Sequence, residues 1–249
     1  MGLIDFILNL AGLLLWVNWR TEPFNPQSHM STRNLMGTLR RADAPRMRRW
    51  HYLAGLAALL FFRAVIYRQI GPAIHWTGTA DLGAISISFR SDVFGRILLF
   101  SVISFGVALM VFYLCLIFLS LMRPSSGEIQ PGARFTRQQL GFVESWPRGV
   151  RLVLPLIVAA TLWWLASWVL TSWEIVPRPV SAAHRFEQSL LVGLGSYLAW
   201  KYLIIGALGL HMLNSYVYFG RHPFWNHVNE IARRLLAPLE VLPLRLGKV

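Results

Sequence analysis

The sequence is short of charge. Charged residues make up 14% of its 249 positions, against 55% apolar residues; a soluble globular domain carries about 25% charged residues. A chain so composed cannot cover a water-facing surface with polar groups. That excludes an ordinary soluble domain and points to a membrane protein. Acid is scarcer than base, with 11 Asp and Glu against 24 Lys and Arg, for a formal charge of +13. The base is dispersed between long apolar runs instead of forming one patch, which suits an anionic membrane surface and not nucleic acid. A single cysteine, Cys115, excludes an intrachain disulfide framework. Placed within an apolar run, it acts as a small hydrophobe and not as a reactive thiolate. The high apolar content also excludes intrinsic disorder.

What the chain does have is uninterrupted hydrophobicity. Ile97 to Met122 and Leu152 to Trp173 contain no Asp, Glu, Lys, Arg or His, and residues 188–220 are interrupted only by Lys201 and His211. Each exceeds the roughly 20 helical residues that cross a bilayer core of about 30 Å. Two weaker segments precede them. Residues 51–67 contain Arg63, and residues 2–19 contain Asp5 near the start. The opening Met-Gly-Leu-Ile-Asp lacks the basic start of a signal peptide. Phe6 also stands where a myristoylation motif wants Ser or Thr. We read residues 2–19 as a first span, with an interfacial helix as the alternative. The expected fold is an all-α integral membrane bundle of about five transmembrane helices.

Charge assigns the sides. Segments 20–50, 123–151 and 221–249 carry seven, five and five Lys or Arg, whereas 68–96 and 174–187 carry three and two. The positive-inside rule then predicts the N-terminus outside and the C-terminus in the cytoplasm of a bacterial inner membrane. Trp16, Trp19, Trp50, Trp76, Trp146, Trp173 and Trp225 fall near the ends of the expected spans, where an apolar ring with an N–H is best accommodated.

Two stretches read alike. Trp50, a span, Trp76, an outer loop with Asp92, and a second span correspond to Trp146, a span, Trp173, a loop with Glu187, and a further span. Asp92 and Ser101 match Glu187 and Ser196 at one common offset. Basic amphipathic segments follow each pair, at 135–151 and 225–245. The expected organisation is a leading helix and basic loop over 1–49, a first helix-pair repeat over 50–145, and a second over 146–249.

The stretch Arg221-His222-Pro223-Phe224-Trp225-Asn226-His227-Val228-Asn229, continuing through Arg233-Arg234-Leu235-Leu236-Ala237-Pro238 to Pro243, resembles the YggT family of small bacterial membrane proteins. That family commonly shows an Asn-Pro-aromatic turn and then a Pro-punctuated basic helix after a span. Here His222 stands in place of the Asn, and the usual continuation is missing. The resemblance covers about 25 residues. It implies an integral inner-membrane protein whose relatives are linked to assembly of membrane complexes, envelope organisation and osmotic tolerance.

Three residues are candidates for a polar site within the membrane. Lys201 lies near the middle of its span, where a cation costs about 2.5–3.5 kcal/mol on insertion scales. It projects away from a stripe of small residues, Gly195, Ala199, Gly206 and Gly209, that would allow close helix approach. Its functional readings are an ion or anion site, or a salt bridge to a partner chain. The plainer ones are snorkelling, or an intrachain pair with Asp81 or Asp92. Arg63 is expected to snorkel outward, with Tyr67 and Arg68 one turn on. His211 is a weak cofactor-ligand candidate and is better read as a hydrogen-bonded or packing histidine. The seven histidines form no metal-binding pattern, and no cofactor is expected.

The cytoplasmic segments offer contacts to anionic headgroups or to partner subunits. Arg40, Arg41, Arg48 and Arg49 sit in one basic run, and each gains about 1 kcal/mol beside an anionic leaflet. Pro223, Phe224, Trp225, Arg233 and Arg234 belong to an amphipathic segment suited to the interface. Alternating Ile85-Ser86-Ile87-Ser88-Phe89 predicts a short hairpin-like edge outside the membrane, the best exposed surface for another subunit. With no catalytic constellation, we expect a non-enzymatic membrane protein that organises or helps assemble a complex with other subunits or with itself. The alternative is an ion or small-solute transporter or channel. The absence of carboxylates from the later spans counts against proton coupling.

Overall fold

The apolar runs become helices. The computed structural model describes residues 2–21, 49–122, 131–217 and 223–240. In order they form α1 (Gly2–Thr21), α2 (Arg49–Ile70), β1 (Thr77–Asp81), β2 (Ser86–Arg90), α3 (Phe94–Leu121), α4 (Pro131–Leu140), α5 (Arg148–Ser172), α6 (Ala182–Gly195), α7 (Leu198–Tyr216) and α8 (Pro223–Glu240). Five segments are long and apolar enough to cross a membrane: α1, α2, α3, α5, and α6 with α7 taken together. Many of their large apolar side chains are exposed, among them Leu3, Phe6, Phe62, Leu165 and Ile205. That is unfavourable in water and suits a lipid solvent. The chain has the make-up of a multi-pass membrane protein.

The chain divides into two compact units. The first comprises Met1–Ala80 and Ser86–Met110. Here α1 packs on α2 through glycine: a Cβ on Gly12 would come within 2.8 Å of the Phe105 ring and 3.3 Å of Leu56. After α2 the chain turns sharply at Gly71, whose amide donates to Tyr67 O at 2.8 Å and whose carbonyl accepts from Trp76 N at 2.9 Å. The strands then pair as a two-stranded sheet. On β1 and β2 buried residues alternate with exposed ones, and Gly78, Ala80, Ile87 and Phe89 point inward. The period of two seen in the sequence is therefore a real one-sided hairpin. Its buried face meets an aromatic cluster, with Phe89 to Phe100 at 5.6 Å, Trp76 to Phe100 at 5.5 Å and Tyr67 to Trp76 at 4.5 Å between ring centroids.

The second unit comprises Asp81–Ile85 and Val111–Val249. The hairpin tip belongs to it. Gly83 has φ +84°, and Asp81 Oδ1 accepts from its amide at 2.9 Å. A positive φ at the first central residue of a two-residue loop favours glycine. A Cβ on Gly83 would also stand 2.7 Å from Gly195 O. In α4, Leu140 packs with Leu116 and Ile117 of α3. Ser181 caps α6, its hydroxyl accepting from His184 N at 3.1 Å.

The fifth span was expected as one run over 188–220. It is instead two helices, broken at Ser196 and Tyr197. Ser196 Oγ donates to Gly193 O at 2.7 Å and the Tyr197 hydroxyl to Leu152 O, so local side chains engage backbone carbonyls at the break. The break also divides the small-residue stripe. Gly195 packs on Ala84 in α6's company, whereas Gly206 and Gly209 on α7 have open space where a Cβ would stand.

Candidate functional site

Two cations on the long apolar helices have opposite surroundings. Arg63, expected to snorkel, is instead 2% exposed. Its Nη2 donates to Asp5 Oδ1 at 2.6 Å and to Ser104 Oγ at 3.0 Å, and its Nη1 donates to Asn9 Oδ1 at 2.9 Å. Asn9 Nδ2 donates to Ser104 Oγ at 3.1 Å, and the Tyr67 hydroxyl donates to Asp5 Oδ1 at 2.6 Å. The guanidinium carbon stands 5.1 Å from the Phe100 centroid and 5.6 Å from that of Tyr67. The reason is helix geometry. Asp5 and Asn9 are four apart on α1, Arg63 and Tyr67 four apart on α2, and each pair lies on one face. The two faces meet, and Ser104 on α3 closes the set.

Chemically this set is nearly saturated. A buried charge needs a partner and further hydrogen bonds, and Arg63 has both; only its Nε lacks a hydrogen-bond acceptor. The cluster ties three helices together. The sequence marked Arg63 and noted Asp5 and Tyr67, but Asn9 and Ser104 were missed. The available signal was the two i, i+4 polar pairs on adjacent apolar segments.

Lys201 is the other cation. It lies near the start of α7, a helix with no buried residue, and its side chain is exposed with Nζ 4.9 Å from the Tyr202 centroid. Among the described residues no carboxylate lies within ion-pair distance of it. The expected intrachain partners are engaged elsewhere: Asp92 pairs with Arg90 at 3.1 Å, and Asp81 accepts from Gly83 N.

His211 sits on α7, where its Nδ1 hydrogen-bonds with Asn229 Oδ1 on α8 at 2.9 Å. Asn214 Nδ2 donates to the same oxygen at 3.4 Å. Together with buried Val228, Ile231 and Ala232 of α8, these bonds dock the amphipathic helix onto the end of the span. Pro223 and Phe224 open α8, Trp225 is half-buried, Arg233 is exposed, and Arg234 pairs with Glu230 at 3.3 Å. Arg49 is exposed in the first turn of α2; Arg40, Arg41 and Arg48 lie outside the described residues. The three candidate polar residues therefore do not form one site. Arg63 belongs to the first unit, and Lys201 and His211 to the second. Among the described residues no group of three or more His, Cys, Asp or Glu is placed to hold a metal ion. No family model, curated protein or solved structure matches the chain.

Proposed function

We propose that this chain is a non-enzymatic component of the bacterial inner membrane that organises or helps assemble a larger membrane complex, with its N-terminus outside and its C-terminus in the cytoplasm. The observation that carries this reading is the state of α7. Arg63 is neutralised and buried within its own unit, while Lys201 is exposed, with no ion-pair partner among the described residues, on a helix that buries none of its residues. A charge in a span faces a partner, a cavity or another chain. Among the described residues no carboxylate pairs with Lys201, and a subunit contact is the reading we adopt for it. The resemblance of residues 221–243 to the YggT family supports an assembly role, and the 17 Lys and Arg of segments 20–50, 123–151 and 221–249 support the orientation. We also read the order span, connection, span, amphipathic helix, which occurs as α2 to α4 and as α5 to α8, as a parallel duplication. One copy has acquired a hairpin and the other a broken span.

Transport is the second reading, and Lys201 is its one favourable observation. Coupling to a proton would need an intramembrane carboxylate free to titrate, and Asp5 is already held by Arg63 and Tyr67. The test is to isolate the full chain from native membranes in a mild detergent and identify what accompanies it. A stoichiometric second membrane protein is the expected result. A chain that runs alone as a homo-oligomer would move the weight to transport.

A further inference from the structure

We propose that Arg185, laid over the indoles of Trp164 and Trp168, binds the phosphate of a membrane phospholipid whose acyl chain lies along the exposed face of α5. The proposal needs only the multi-pass membrane character of the chain. It stands or falls apart from the complex-component reading.

The head of the site comes from helix geometry. Trp164 and Trp168 are four apart on α5 and so share one face. Arg185, in the first turn of α6, places its guanidinium carbon 4.3 Å from the Trp168 centroid and 5.8 Å from that of Trp164. Contact with the ring faces holds the cation in place without using its N–H groups. Its Nε is buried with no acceptor, and no carboxylate pairs with it among the described residues. The carboxylate closest in sequence, that of Glu187, lies instead 3.6 Å from His184. The Nη donors of a guanidinium positioned in this way suit the oxygens of a phosphate.

Depth fits a headgroup. The 25 residues of α5 make a helix of about 37 Å, a little longer than a hydrocarbon core of about 30 Å. Trp168 lies one turn before the end of α5 at Ser172, and Arg185 one turn after the start of α6 at Ala182. A single short connection joins these two ends, so both lie at one membrane face. One turn in from the end of such a helix is the level of the glycerol and phosphate groups, where tryptophan is favoured.

The surface continues as a place for hydrocarbon. At about 100° per residue, Ile157, Thr161, Leu165 and Trp168 fall on one side of α5, and all four are exposed. Thr161 is the polar residue among them, and its hydroxyl is engaged by Ile157 O at 2.8 Å and Val158 O at 3.0 Å. The side therefore presents an apolar stripe of about 16 Å running inward from the cation. Free phosphate would cover the cation and leave the stripe bare. A molecule with an anionic head and a hydrocarbon tail covers both.

The test uses the full chain in a maltoside detergent, which carries no phosphate, titrated with a phosphatidylglycerol whose acyl chain bears a photoreactive diazirine. Labelling is expected between Ile157 and Trp168. Arg185→Met should lower it about tenfold, the loss of charge-assisted hydrogen bonds, with labelling of α3 unchanged, and Arg185→Lys should keep the larger part. A second comparison needs no variant. A diacylglycerol probe with the same chains but no phosphate should label this segment about tenfold less, and added inorganic phosphate should not displace the phospholipid. Equal labelling by diacylglycerol, labelling indifferent to Arg185→Met, an Arg185→Lys chain as poor as Arg185→Met, or displacement by inorganic phosphate would each overturn the proposal.

Discussion

Asp5 and Arg63, 58 residues apart in sequence, meet at 2.6 Å, with the guanidinium fully buried and a fifth of the carboxylate side chain still exposed. The contact joins two charge-bearing spans into a packed pair. Each segment taken alone carries a charge that disfavours insertion; together the charges are neutralised and joined by Asn9, Tyr67 and Ser104.

Removing one partner should therefore cost more than removing both. Asp5→Ala leaves Arg63 buried without its counter-charge, and a loss of about 3 kcal/mol is expected. The double variant Asp5→Ala with Arg63→Met should recover much of it. Thermal unfolding in detergent, run as a double-mutant cycle, measures the coupling. Additive losses would show that the pair does not hold the unit together.

Glycine is needed at position 12 and not at position 106. A Cβ at Gly12 meets the Phe105 ring at 2.8 Å, whereas one at Gly106 meets nothing within 4 Å. Gly12→Val should destabilise by about 1–3 kcal/mol through overpacking. Gly106→Ala should be neutral or stabilising by up to about 1 kcal/mol, since glycine weakens a helix interior. Equal melting shifts for the two would contradict the packing described for α1.

Docking of α8 depends on Asn229, whose Oδ1 meets both His211 and Asn214. Asn229→Ala should cost about 1 kcal/mol and raise amide exchange in α8 above that in α7. Unchanged exchange across residues 223–240 would show that the apolar contacts of Val228, Ile231 and Ala232 suffice.

The proposed orientation is tested by thiol labelling in a Cys115→Ser background. A cysteine replacing Thr79, exposed on β1, should react with an impermeant maleimide from outside intact cells. One replacing Arg137, exposed on α4, should react only after the membrane is opened. The reverse pattern would invert the topology.

Much of the architecture was legible in order of residues alone, for a physical reason. A bilayer accepts long apolar helices whatever their neighbours, so the spans beginning at Phe94 and Arg148 follow from local composition. The hairpin was legible in part, because one-sided burial imposes a period of two on Ile85 to Phe89. The break in the fifth span was not. Residues 188–220 read as one apolar run, and nothing in a hydropathy pattern distinguishes a Ser-Tyr pair within a helix from one that interrupts it.

The fate of the charges divides sequence from structure most clearly. Composition by itself determined that the chain lives in lipid, that its base outweighs its acid, and that Arg63 and Lys201 both lie within spans. Which of them is satisfied depended on tertiary packing. Neutralising a buried cation requires a carboxylate within a few ångströms, and that distance is set by which helix faces meet. The face of α2 that carries Arg63 meets Asp5. The face of α7 that carries Lys201 meets no carboxylate among the described residues, and that difference is why the two cations, alike in the sequence, differ in the folded chain.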